Sequence, residues 1–184
     1  MRFPVPTFAQ DGNAATGHED MTAGERNRSI ADAVRAAATV ALGLSAGAML
    51  AEGAVLVPWW RALPPQAFLT WYAANTARLF DFFGTLEIAS AAFAVAALAL
   101  SWYRPRARRF FSAAAVLALA VLAPFPLYFE AVNDSFANGT IALDRVAGEL
   151  TRWSVLHWVR TGIGIAAFGA ALLGVRSEAG STVV

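Results

Sequence analysis

In the stretch RWSVLHWVRTGIGIAAFGAALLG, residues 152–174, Trp153, His157, Arg160 and Gly164 follow steps of four, three and four. Residues so spaced share one face of a helix. An imidazole and a guanidinium thus open an otherwise apolar run. The other apolar runs carry Glu52, Asp81, Glu87 and Glu130 inside them or at their edges, with Asn133 just beyond the third. A charge at mid-helix in a bilayer costs about 2.5–3.5 kcal/mol on an insertion scale, so the deepest of these, Glu52, Glu87 and Arg160, need partners. The simplest pairing is Arg160 with Glu52 or Glu87. One reading is a structural ion pair that fixes helix register. The other is a polar pocket beneath the outer surface, with His157, Arg160, Asn133 and Glu52 doing chemistry and Trp153, Glu87, Glu130 and Trp60 holding a substrate.

His157 admits three roles. A neutral imidazole can serve as general base or hydrogen-bond a substrate. With Glu52, Glu87 or Glu130 it could form a mixed N/O metal site, so the cofactor is either absent or a single metal ion. It could also be a satisfied structural histidine. The only other histidine, His18, lies in a polar N-terminal stretch, and the Glu-x-x-His pair of di-iron bundles is missing.

Four apolar runs must position these groups: 36–57, 80–103, 110–128 and 153–175. Each is near the ~20 residues that a helix needs to cross a bilayer. In lipid the backbone must satisfy its own hydrogen bonds, so the expected fold is all-α, a four-helix transmembrane bundle. Residues 1–29 read as a disordered polar tail without the pattern of a signal peptide, 30–176 as the membrane domain, and 177–184 as a short C-terminal tail. Between the first two spans, Pro65 to Phe83 reads as an amphipathic interfacial helix with Phe68, Leu69, Tyr72, Thr76, Leu79 and Phe83 on one side. Pro124 and Pro126 are expected to kink or end the third helix. Asn138-Gly139 reads as a turn, followed by a helix from about Ile141. Small residues at four-residue spacing, Gly43, Gly47 and Ala51, then Gly162, Ala166, Ala170 and Gly174, predict close helix packing along those stripes.

Composition agrees. The 184 residues are 58% hydrophobic and 15% charged, with a mean hydropathy of +0.51. Soluble domains have about 45–50% apolar and about 25% charged residues. A net charge of +1 and no basic stripe with interleaved aromatics exclude nucleic acid as a partner. There are no cysteines, which removes disulfides and thiolate chemistry. Nine arginines flank one side of the expected spans and four the other. That predicts both termini in the cytoplasm and the protein in the cell (inner) membrane. The expected partners are membrane lipids, a lipophilic small-molecule substrate, and a second copy or a larger membrane complex.

The segment FEAVNDSFANGT…LTRWSVLHWVRTGIGIAAFGAALL resembles the end of the anthrone-oxygenase-like family of small four-span membrane proteins. Asn133 after the third span, and Trp153, His157 and Arg160 opening the fourth, match that family's pattern. GAMLAEGAVLVPWWRALPP is similar to its first span. The resemblance covers about residues 35–175. It implies a four-helix bundle and oxidation of a lipophilic phenol or polyketide-like compound by O2. A lipid- or small-molecule-binding protein, a subunit of a membrane complex, and a metal-containing oxidoreductase are the alternatives.

Overall fold

The computed structural model describes residues 12–179, with side chains from 24 to 177. Among the described residues seven α-helices occur: α1 (Gly12–Ala51), α2 (Val57–Ala62), α3 (Pro65–Leu79), α4 (Thr85–Ala99), α5 (Pro105–Leu122), α6 (Glu130–Ala137) and α7 (Leu143–Ala179). Short π-helical turns, Glu52–Leu56, Phe80–Gly84 and Phe125–Phe129, splice the first six pairwise into three long rods. With α7 these make four helical units long and apolar enough to cross a membrane: Gly24–Ala62, Pro65–Ala99, Pro105–Ala137 and Leu143–Ser177. The fold is an all-α four-helix bundle, as the apolar runs predict.

The units are longer than those runs, for local reasons. The chain breaks at Leu63, which is extended (ψ 147°), because the residue before a proline is pushed out of the helical region. Nothing comparable separates α3 from α4. The segment expected as a separate interfacial helix is therefore continuous with the second span through the Phe80–Gly84 turn. Its predicted inner side holds: Phe68, Leu69 and Tyr72 are buried. Pro124 and Pro126 do not end the third unit. They withdraw two N–H donors from its ladder, and the chain passes through the Phe125–Phe129 π turn and on to Ala137. The expected turn at Asn138-Gly139 is present, with Gly139 at φ 61° in the left-handed region that glycine tolerates. At the N-terminus the helix already begins at Gly12, inside the stretch expected to be a disordered tail; residues 1–11 and 180–184 lie outside the described residues.

In the ring, α1 packs on α4, α4 on α5, α5 on α7 and α7 on α1. The buried residues form layers. One half of the bundle is tight and alanine-rich: Ala38, Ala94, Ala107, Ala114, Ala167 and Ala171 surround Phe111. Arg35 closes that end, where Nε donates to Ser101 Oγ at 2.9 Å and Nη2 to the Leu100 carbonyl at 2.7 Å. The opposite end is aromatic: Trp60, Phe68, Tyr72, Phe129, Phe136 and Trp153 pack together under α3. Large apolar side chains such as Val40, Leu44, Ile88, Val116, Val159 and Leu173 face outward, the surface that hydrocarbon rather than water solvates.

The inward stripe of α7 continues the spacing read from its start. Trp153, His157, Arg160, Gly164, Ala167, Ala171 and Gly174 are all buried. Of the small-residue stripes predicted for packing, only part is used. A Cβ on Gly43 would lie 2.9 Å from Phe168, and one on Gly174 2.9 Å from Phe111. Gly47, Ala51, Gly162 and Ala166 are exposed instead. Close approach follows the faces fixed by the buried polar residues, one position round from the stripe in α7.

Candidate functional site

Between the alanine and aromatic layers lies a polar layer, and at its level three of the four rods carry their π turns. A π turn inserts one residue and re-aims the side chains beyond it, a device frequent at functional sites. Here the turns border a cavity of about 540 Å³, within the ~300–1,000 Å³ range of drug-sized ligand sites. Glu52, Phe80, Phe83, Phe125 and Phe129 of the π turns line it, with Tyr72 and Thr76 of α3, Glu87 of α4, Glu130, Asn133 and Asp134 of α6, and Trp153 and Arg160 of α7.

Arg160 anchors this layer. It is 6% exposed and Glu87 8%. Its Nη2 donates to Glu87 Oε2 in a buried ion pair, which settles the choice between Glu52 and Glu87. Its Nε donates to the Val121 carbonyl at 2.9 Å, in the stretch of α5 that Pro124 and Pro126 leave short of donors. The guanidinium lies over the Phe129 ring, 4.7 Å from its centroid, a cation–π contact. One arginine thus ties α7 to α4 and α5. A guanidinium has five N–H donors, so further donors remain on Arg160, which also lines the cavity.

Glu52 opens the first π turn. It is 9% exposed, lines the cavity, and among the described residues has no hydrogen-bond donor. His157 Nδ1 lies 3.8 Å from its Oε2.

His157 stands one layer behind. It is 1% exposed and absent from the cavity wall. Nε2 donates to the Met49 carbonyl at 2.9 Å, since a carbonyl can only accept. Nδ1 has no hydrogen-bond partner. The ring stacks on Trp153, centroids 4.9 Å apart and planes 10° from parallel. Gly53 makes room for it: a Cβ there would sit 3.1 Å from His157 Cδ2. His157 therefore lies beside Glu52 without a hydrogen bond to it and does not line the cavity, unlike the direct role expected of it.

The proposed metal set does not assemble either. Among the described residues no group of three His, Asp or Glu side chains could hold a metal ion. Glu87 is committed to Arg160, and one His157 nitrogen to Met49.

Asn133 and Trp153 work as a pair. Trp153 Nε1 donates to Asn133 Oδ1 at 3.0 Å, which fixes the amide so that its NH2 is left to donate. Glu130 lies at the wall as expected. Trp60 does not: it is 1% exposed and packs edge-on to Trp153 with centroids 5.7 Å apart. Trp60 lies about two helical turns beyond Glu52, in the aromatic layer and not at the cavity. Sequence reasoning missed Asp134, Tyr72 and the phenylalanines of the π turns. Asp134 was legible as the i+4 partner of Glu130.

No protein-family model, no curated protein and no solved structure matches this chain.

Proposed function

We propose that the protein is an integral membrane oxygenase that oxidises a lipophilic phenol or anthrone-like compound with O2 in the cavity beside Glu52. The observation that carries this reading is a buried carboxylate without a protein donor, at the wall of an aromatic cavity, with Arg160 and Asn133 donors beside it. The resemblance of the Asn133–Arg160 pattern to anthrone oxygenases supports the reaction type. The arginine distribution supports an inner-membrane location with cytoplasmic termini, so that the cavity opens toward the outer leaflet.

The overall change is R2CH2 + O2 → R2C=O + H2O. Glu52 takes the proton from a C–H bond made acidic by the flanking phenolic ring or carbonyl. The electron pair left on carbon forms the C–O bond to O2, and protonation gives a hydroperoxide. Loss of the second C–H proton to the same carboxylate breaks the O–O bond and releases water. Arg160 and the Asn133 amide direct N–H donors at the oxyanion that develops on the substrate. His157, held by Met49 and stacked on Trp153, backs the wall beside Glu52. Incubation of the purified protein with such compounds under 18O2 tests this. One 18O in the product carbonyl is expected. Label drawn from water, or no oxidised product across the series, overturns it.

A further inference from the structure

The charges around the cavity do not balance. Glu52, Glu87, Glu130 and Asp134 line it against a single cation, Arg160. Arg160 is paired with Glu87. Glu52, Glu130 and Asp134 are left without an opposing charge in the wall. Glu130 and Asp134 alone, exposed at i and i+4 on α6, would be an ordinary solvated face. Glu52 is different. It is 91% buried, being 9% exposed, faces the same cavity, and has no hydrogen-bond partner among the described residues. A carboxylate in such a place is costly unless something pairs with it.

The rest of the wall is aromatic. Tyr72, Phe80, Phe83, Phe125 and Trp153 line it, and the Phe129 face already holds the Arg160 guanidinium. Aromatic faces attract cations, most strongly when water is excluded. Carboxylates at a cleft mouth raise the local concentration of cations and repel anions. Fatty acids and phosphate-bearing lipids are therefore poor candidates for this site.

We propose that the cavity binds a lipophilic organic cation, an amphiphile whose charged nitrogen or onium centre sits between Glu52 and the Glu130–Asp134 pair while its apolar body lies on the phenylalanines. The proposal rests on the reading that the cavity admits membrane-borne small molecules. It goes beyond oxidation, because the cation is held whether or not it is turned over.

Tetraphenylphosphonium and tetraphenylborate have one shape and opposite charge. Equilibrium dialysis of each against the full chain in a non-ionic detergent isolates the charge term. Saturable binding of the phosphonium is expected, with the borate at least about tenfold weaker. The surface variant E130Q/D134N should weaken phosphonium binding by several-fold, and Glu52→Gln by about tenfold. Both variants are checked for an unchanged thermal transition, and the exposed pair keeps the test valid should Glu52→Gln fail to fold. Equal binding of the two probes, no saturable phosphonium binding, or phosphonium binding indifferent to the surface variant overturns the proposal. Oxygen consumption is read separately. Charge-selective binding without turnover sinks the oxygenase reading alone, and turnover without charge selectivity sinks only the cation site.

Discussion

Removing the Glu87 carboxylate tests the polar layer at its most expensive point. Arg160 is 6% exposed and its partner 8%. In Glu87→Ala the guanidinium keeps only the Val121 carbonyl and the Phe129 ring. Breaking a buried ion pair from one side costs about 3–5 kcal/mol, because a charge is left uncompensated. Glu87→Gln retains an acceptor oxygen in the same place and should fall below that range. Arg160→Met strands Glu87 instead, but beside a cavity that water can enter, so its cost should be smaller. The double variant E87L/R160M removes both charges and should recover most of the loss, since apolar replacement of a buried pair is often neutral. Unfolding in mixed micelles with increasing denaturing detergent, followed by fluorescence of the six tryptophans, gives all four values. The cycle should show a coupling of about 2–3 kcal/mol. A Glu87→Ala cost under about 1 kcal/mol, with no coupling in the cycle, would refute the argument that this pair holds α4 to α7.

Four other variants follow from the packing. Gly43→Ala brings a Cβ to 2.9 Å from Phe168 and should cost about 1–3 kcal/mol; Gly47→Ala meets nothing within 4 Å and should be neutral or stabilising by up to about 1 kcal/mol. The same melting assay separates them. Gly53→Ala crowds His157 at 3.1–3.2 Å and Trp158 at 3.2 Å and should cost about 1–3 kcal/mol. Asn133→Ala leaves Trp153 Nε1 without its acceptor at 3.0 Å and should cost about 1–2 kcal/mol, with a measurable shift in tryptophan emission.

Much of this arrangement was legible in the chain. The 4-3-4 spacing that opens the fourth span fixed the inward face of α7, and that face runs on to Gly174. Glu52, Glu87, Glu130 and Arg160, read from the runs as one polar group, do meet at one level, and the cavity is at that level. Arg160 had to find a carboxylate, and it did. What spacing could not show was the π turns. Periodicity of 3.6 identifies a helix but is blind to one inserted residue, and each insertion swings the following side chains by about 100°. That is why the phenylalanines of the Phe80–Gly84 and Phe125–Phe129 turns were not placed at the cavity; Trp60 misses it by depth, packed on Trp153 in the next layer. His157 presents another limit. Its face was read correctly, but depth along that face depends on Gly53 and Met49 in a helix far away in sequence. The boundary between α3 and the second span was also invisible, since nothing in LFDFFGT forces a break.

The central claim is that Glu52 is the group that takes the proton in this cavity. Oxygen uptake by wild type and Glu52→Gln, on the same lipophilic phenol or anthrone and at matched folded protein, tests it most directly. The account predicts a loss of about 10²–10⁴-fold, the usual contribution of a positioned general base. Uptake by Glu52→Gln at the wild-type rate would contradict it.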